Sequence, residues 1–344
     1  MRVAYWTTAC LEPAIEAVSK EVFDLAASFP ASRIFAVSPH LSAPLRLRAR
    51  ALGLHTRFTP LLQCLIPVIE LSAAVNHVYG EVSPWPFCKS LRRRPIVLTI
   101  ASEKGRPVDD FLARCEVVVA QTEGMKARLA GWGVESKRVR LIYPGIDLAR
   151  FKPRDASLPA GRPNVLFATF PREVSELDAR GVSFLLETAR KLPQIDFSLL
   201  LRPFSGGGAA RSLVSDRVRA EGLHNITLLE GTQERMDDLY RSHRFTVIPY
   251  TTSAGGKECP LSLVEGLACG VPVLISSVAP FSRFVLEHDC GRVFECRAES
   301  FAAALDDAMN AYSTLSDNAR HAADAFFNLR NTRRDYANIY DAIA

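Results

Sequence analysis

At 344 residues the chain exceeds the usual size of one compact domain, so two domains are expected. With 48% hydrophobic and 23% charged residues it fills sizeable cores, which excludes a disordered composition. The net charge of +5 is uneven: residues 1–150 hold 20 Lys+Arg against 13 Asp+Glu, a balance of +7, and the remainder holds 22 against 24, or −2.

A basic amino-terminal half suits anionic phosphates on a lipid headgroup, a nucleotide or a nucleic acid, or it is simply a solvated face. Its arginines cluster at Arg46, Arg48 and Arg50 and again at Arg92, Arg93 and Arg94. No aromatic platform accompanies them, which argues against nucleic acid. Peripheral contact with an anionic membrane is the partner they permit. The most apolar window, Leu61–Val75, contains Gln63, Pro67 and Glu70; it is too short and too interrupted to span a bilayer and reads as buried core. The opening residues "MRVAYWTTACLEPAIE" carry one basic residue and no uninterrupted apolar run, so no secretory signal is expected. Eight cysteines show no CxxC and no Cys/His pairing at zinc spacing. Reduced thiols in a cytoplasm are therefore expected, and a structural metal is not.

In chain order, "RVAYWTTA" reads as a strand, "AIEAVSKEVFDLAASF" as a helix with apolar positions at helical spacing, and "SRIFAVSP" as a strand. Further on, "PIVLTIAS" and "EVVVAQT" read as strands, "EGMKARLAGWG" as a helix ending in Gly133, and "RVRLIYPG" as another strand. Gly145–Pro163, "GIDLARFKPRDASLPAGRP", has the Pro, Gly and Ser content of a linker. From Asn164 the alternation becomes regular. The strands "NVLFATF", "DFSLLLR", "NITLLEG", "FTVIPY" and "PVLISS" each precede a helical pattern, among them "GVSFLLETARKL" and "PLSLVEGLACG". Short βα repeats of this kind build a parallel sheet covered by helices on both faces. Ligands of such sheets bind beyond the carboxyl ends of the strands, so two of them predict a cleft site.

Two stretches resemble a known family. "RVRLIYPGIDLARFKP" (Arg138–Pro153) resembles the end of the amino-terminal domain in the GT-B retaining glycosyltransferases of family 4. "CPLSLVEGLACGVPVL" (Cys259–Leu274) resembles that family's donor motif, a glutamate-ended helix followed by a Gly-x-Pro-Val strand. The resemblance implies an α/β protein of the GT-B fold, two Rossmann-like doubly wound domains facing across a cleft. It implies an acceptor-side domain over residues 1–155, a nucleotide-sugar donor domain over 156–318, and a carboxyl-terminal helix over 319–344 that packs back towards the first domain. The activity implied is retaining transfer of a sugar from a UDP- or GDP-linked donor to an acceptor, with no cofactor and no required metal.

The residues carry the chemistry this calls for. A helix beginning near Pro260 offers the unpaired N–H groups of Leu261 and Ser262 to an anion such as a diphosphate. Glu265, flanked by apolar residues in that helix, is costly to bury without partners, and two ribose hydroxyls are suitable ones. The bland reading of the same residue is a capped or salt-bridged structural glutamate. The family's first glutamate sits eight positions before the second; here that position is Lys257, and Glu258 follows it. Either Glu258 meets the donor sugar through a shifted loop, or Lys257 contacts phosphate or a sugar carboxylate. Gly256 allows close approach to the sugar. Arg172 and Arg180, in the positions of the family's Arg and Lys, are the expected diphosphate clamp, and Arg202 is a further candidate from its strand-end position. On the acceptor side the family's glycine-rich loop and histidine are missing, and His77 and Glu103 are the candidates offered instead. Two alternatives stand beside the transferase: a non-catalytic nucleotide-sugar-binding protein, and a UDP-N-acetylhexosamine epimerase on the same fold.

Overall fold

The computed structural model describes residues 1–41, 43–48, 50–81, 86–102, 109–153, 161–204 and 206–344. Its elements run β1 (Val3–Thr7), α1 (Ala17–Ala26), β2 (Arg33–Val37), β3 (Leu45–Arg48), β4 (Ala51–Leu54), α2 (Thr59–Ser72), β5 (Val75–Glu81), β6 (Ile96–Ser102), α3 (Asp109–Arg114), β7 (Val117–Ala120), α4 (Glu123–Gly131) and β8 (Val139–Leu141). They continue with β9 (Asn164–Phe167), α5 (Val182–Lys191), β10 (Asp196–Leu201), α6 (Gly208–Ala220), β11 (Ile226–Glu230), α7 (Met236–Arg241) and β12 (Phe245–Ile248). The chain closes with α8 (Leu261–Ala268), β13 (Val273–Ser276), α9 (Ser282–Glu287), β14 (Gly291–Phe294), α10 (Ala298–Asn310), α11 (Tyr312–Phe326) and α12 (Leu329–Ile343).

Two compact units result, one of Met1–Gly145 with Arg330–Ala344, the other of Ile146–Leu329. The two points where the chain passes between units are tied together. Ile146 pairs with Asn328 as a parallel bridge, its N–H donating to Phe327 O at 2.7 Å and its carbonyl accepting from Leu329 N at 3.0 Å.

The first unit carries an eight-stranded sheet in the order β3-β4-β2-β1-β5-β6-β7-β8, parallel except for the antiparallel edge strand β3. Strands such as β1 and β7 are buried along their whole length, which is why they read as continuous apolar runs rather than alternating ones. The carboxyl-terminal residues return to this unit: Tyr336 and Tyr340 of α12 share a core with Tyr5 and Tyr79. Their hydroxyls close a buried polar network around His77, whose Nδ1 lies 2.6 Å from Tyr340 Oη and whose Nε2 lies 2.7 Å from Thr99 Oγ1. Thr99 Oγ1 in turn lies 2.9 Å from Tyr336 Oη. His77 is fully buried with both ring nitrogens engaged, so the acceptor-side expectation for it gives way to a structural role. Glu103 lies outside the described residues.

The window Leu61–Val75 also departs from its expectation. It forms most of α2, but only one face is core: Leu62 and Ile66 are buried, whereas Leu61, Leu65, Val68 and Leu71 are exposed. Apolar residues on every side of the helix hid this division from the sequence.

The second unit carries a six-stranded parallel sheet in the order β11-β10-β9-β12-β13-β14. This is the doubly wound order in which the chain starts centrally, winds one way, then returns to the other side of the first strand. The winding direction reverses between β9 and β12.

The buried imidazole makes a testable claim. Desolvation pulls the pKa of His77 down from 6.5 to about 3, so the folded protein holds it neutral. The unfolded chain gains a proton below pH 6.5 that the folded one refuses. The stability tied to His77 is therefore complete above that value and is lost as pH falls toward 3. Between pH 7 and pH 5 this amounts to about 2 kcal/mol. Urea unfolding at both pH values should show His77→Gln losing that much less stability than the parent over the same interval.

Candidate functional site

The polar residues singled out from the sequence gather at the carboxyl end of the second unit's sheet. Beyond β9 the chain runs through Thr169 and Arg172 to Arg180; beyond β10 come Arg202 and Phe204; beyond β12 come Tyr250 and the loop leading to α8. Two of these loops are fastened to each other. Thr251 N donates to Ala179 O at 3.1 Å, and Thr251 Oγ1 donates to Asp178 O at 2.7 Å. Gly181 allows this closeness: its φ is +79°, and a Cβ there would stand 1.8 Å from Pro249 O.

Arg180 is thereby carried over the ring of Tyr250, with its guanidinium carbon 5.6 Å from the centroid. Its Nη1 reaches Thr169 O at 3.4 Å, while its Nε is buried without a partner. The Tyr250 hydroxyl lies beside Arg180 and Thr169 but makes a hydrogen bond of good geometry to neither. Burial raises its pKa, with the Arg180 cation opposing that effect. Gly256 belongs to the same cluster: a Cβ there would stand 2.3 Å from Tyr250 Oη and 2.9 Å from Arg180 Nη1. Arg172 stacks its guanidinium 4.9 Å from the Phe204 centroid, and its Nε too is buried without a partner.

Glu265 is buried, 5% exposed, in the middle of α8. Its Oε2 accepts from Tyr240 Oη at 2.9 Å. The phenol is fully buried, and desolvation followed by the Glu265 charge holds its pKa far above the usual value, with the Arg202 cation acting in the opposite sense. Glu265, Tyr240 and Arg202 thus form one electrostatic group. At the amino end of α8, Pro260 is extended with φ −64° and ψ 127°, and no side chain caps the helix. Leu261 and Ser262 fill its first turn, leaving their N–H groups without intrahelical acceptors. Ser262 Oγ is also buried without a partner. At the other end of the helix Arg320 Nη1 donates to Ala268 O at 2.8 Å, placing a cation at the helix carboxyl terminus where the dipole favours it. Glu258 is buried and Lys257 half-buried in the preceding loop, and both are engaged with neighbours.

Of the residues expected from the sequence, Arg180 and Gly256 are brought together around Tyr250, and Glu265 and Arg202 around Tyr240. Tyr250, Thr169 and Tyr240 were not anticipated. The signal for Tyr250 was its place at the end of "FTVIPY", since strand ends at the reversal point supply ligand contacts. Tyr240 gave none, because an aromatic in "DDLYRSH" patterns as ordinary core. Chemically, the array combines guanidinium groups and a helix amino terminus, which bind anions, with buried carboxylates, which accept hydroxyl donors.

Residues 174–324 of the second unit match the family model described as Glycosyl transferases group 1. Curated relatives include the D-inositol 3-phosphate glycosyltransferase of Nocardiopsis dassonvillei, 32% identical over 201 residues, which are 53% of this chain and 44% of that protein. D-inositol 3-phosphate glycosyltransferase 1 of Catenulispora acidiphila is 28% identical over 283 residues, 74% of this chain and 66% of that protein. The match to the first of these spans less than half of its length. Among solved structures, Anabaena Alr3699/HepE in complex with UDP and glucose superposes with a TM-score of 0.78 at 14% identity, covering 99% of this chain and 100% of that one. Sucrose-phosphate synthase from Thermosynechococcus elongatus gives 0.75 at 17% identity, covering 99% of both. At these identities the likeness is one of fold.

Replacing Tyr240 by Phe removes the donor to Glu265 Oε2 and leaves a buried carboxylate oxygen short of one bond. Denaturant unfolding of Tyr240→Phe should show a loss of about 1–3 kcal/mol.

Proposed function

We propose that this protein is a glycosyltransferase that moves a sugar from a nucleoside diphosphate sugar to a hydroxyl acceptor, with the donor held by the second unit. One observation carries this reading: polar groups buried without partners, on Thr169, Arg172, Arg180, Tyr250 and Ser262, collect at the reversal point of a doubly wound sheet. Buried donors left unpaired cost free energy, and a diphosphate supplies the acceptors they lack. The match of residues 174–324 to the group 1 family model supports the same reading.

In this mechanism the amino end of α8, with the N–H groups of Leu261 and Ser262, receives the diphosphate together with Arg172 and Arg180. Glu265 accepts from ribose hydroxyls, held by Tyr240 in the orientation that meets them. Gly256 leaves room for the sugar, and Glu258 or Lys257 addresses its polar groups. As the bond between the anomeric carbon and the diphosphate breaks, negative charge grows on the leaving oxygen, and the two guanidinium groups stabilise it most when it is largest. The acceptor oxygen bonds to the anomeric carbon on the same face, and its proton passes to the departing phosphate oxygen. Retention of configuration follows from that geometry.

The solved UDP complexes of Alr3699/HepE support uridine as the first base to test. The name shared by the curated relatives supports a phosphorylated cyclitol as the first acceptor to test. Thermal-shift measurements with UDP, GDP and ADP should show one nucleotide raising the melting temperature, since a ligand that binds only the folded state stabilises it. Glu265→Gln should weaken that nucleotide about 10- to 100-fold, the cost of losing charge-assisted bonds. Arg180→Ala should slow sugar release from the matching donor on the order of a hundredfold. Unaltered nucleotide affinity in Glu265→Gln would overturn the ribose assignment, and binding without any turnover would favour a non-catalytic nucleotide-sugar-binding protein.

A further inference from the structure

The first unit has a helix that is apolar on the wrong side. On α2 the core face is formed by Leu62 and Ile66, 1% and 0% exposed. The opposite face carries Leu61 at 54% exposure, Leu65 at 42%, Val68 at 65% and Leu71 at 64%, with Cys64 exposed among them. Positions 61, 64, 65, 68 and 71 recur at helical spacing, so they form one continuous stripe along the outside of the helix. Of eleven exposed large apolar side chains among the described residues, these four share a single helix, which separates them from the singly scattered kind.

Both ends of the stripe are basic. At its amino end Arg57 is exposed, with its guanidinium carbon 4.9 Å from the Phe58 centroid. At its carboxyl end Arg92, Arg93 and Arg94 are exposed and fastened to the helix. The N–H groups of Arg92 and Arg93 each donate to Glu70 Oε1 at 3.1 Å, and Arg94 Nε donates to Glu70 O at 3.1 Å. Glu70 itself is buried, so the exposed groups at this end of the stripe are the arginines. Residues 25–102 contain nine Lys+Arg against two Asp+Glu, and the whole unit holds 22 against 14, a balance of +8.

We infer that the outer face of α2 docks the protein on the surface of an anionic lipid bilayer, the leucines and valine entering the acyl boundary while the flanking arginines meet the headgroup phosphates. An apolar stripe framed by arginine is the arrangement of a helix that lies in the membrane interface. No helix among the described residues is long and apolar enough to cross a bilayer, so α2 lies along the surface. Charge selects the occupant: a second copy of the chain would bring arginine clusters face to face, whereas an anionic surface neutralises them. This inference rests on the first unit alone and does not depend on the reading of the second.

The test is vesicle binding of the full chain, which needs no donor and no activity. Cys64 is the exposed thiol among eight; six others are buried and Cys296 is partly so, which allows an environment-sensitive fluorophore to be placed on the stripe. With vesicles of phosphatidylcholine and phosphatidylglycerol the protein should cosediment and the emission should shift to the blue. Leu65→Glu combined with Val68→Glu should abolish sedimentation, and Arg92→Ser combined with Arg93→Ser should weaken it about thirtyfold. Because all four side chains are exposed, melting curves of both variants should match the parent. Failure to bind anionic vesicles, binding unchanged in the variants, or a blue shift that grows with protein concentration in the absence of lipid would each overturn the inference, the last by assigning the face to a second copy.

Discussion

The site depends on how closely one loop crosses the end of one strand. The segment after β9 passes against Pro249 at the end of β12, in a left-handed turn and in space that only a glycine at 181 leaves open. Once that crossing is made, the bonds from Thr251 to Ala179 and Asp178 hold the two loops in register. Arg180 then has one place to go, over the Tyr250 ring. A cation at the start of a helix is opposed by the dipole, and Arg180 is held there by Thr169 O and the Tyr250 ring.

Glu265 imposes a second, complementary constraint. A carboxylate in the middle of a wholly buried helix requires hydrogen-bond donors, and Tyr240 is one that brings no charge. A phenol satisfies the oxygen it touches without cancelling the negative charge, as an arginine fork would. The carboxylate is thereby fixed in direction by the oxygen that meets the phenol. Tyr240 is in turn buried in α7, so the orientation of Glu265 is inherited from packing rather than from solvent.

Much of this was legible in the sequence, for physical reasons. The βα alternation after Asn164 was plain because each strand is a short buried apolar run and each helix is amphipathic, so the period changes at every boundary. Glu265 and Arg180 were legible because charge in an apolar or cation-disfavouring setting is costly and calls for an explanation. The pair β3 and β4 escaped, because "LRLRARALGL" reads as an arginine cluster until Leu47 is seen opposite Leu52. His77 misled because an imidazole satisfies a buried network as readily as it serves an acceptor, and spacing does not distinguish the two. On α2 composition identified an apolar segment but could not say which of its faces the core would claim.

The two units also differ in how they treat buried polarity, and the difference bears on function. In the first, His77, Thr99, Tyr336 and Tyr340 satisfy one another, and the network seals a core. In the second, several polar atoms are buried at the strand ends without a partner. Eleven buried side-chain atoms lack a partner among the described residues, and five of them, on Thr169, Arg172, Arg180, Tyr250 and Ser262, lie at the carboxyl end of one sheet. The other six are spread through both units, three in the first and three in the second. The five gather at a reversal point beside a helix amino terminus, where the proposed diphosphate would complete their bonding. The same atoms that make this end of the sheet expensive to fold are those the proposed diphosphate would meet.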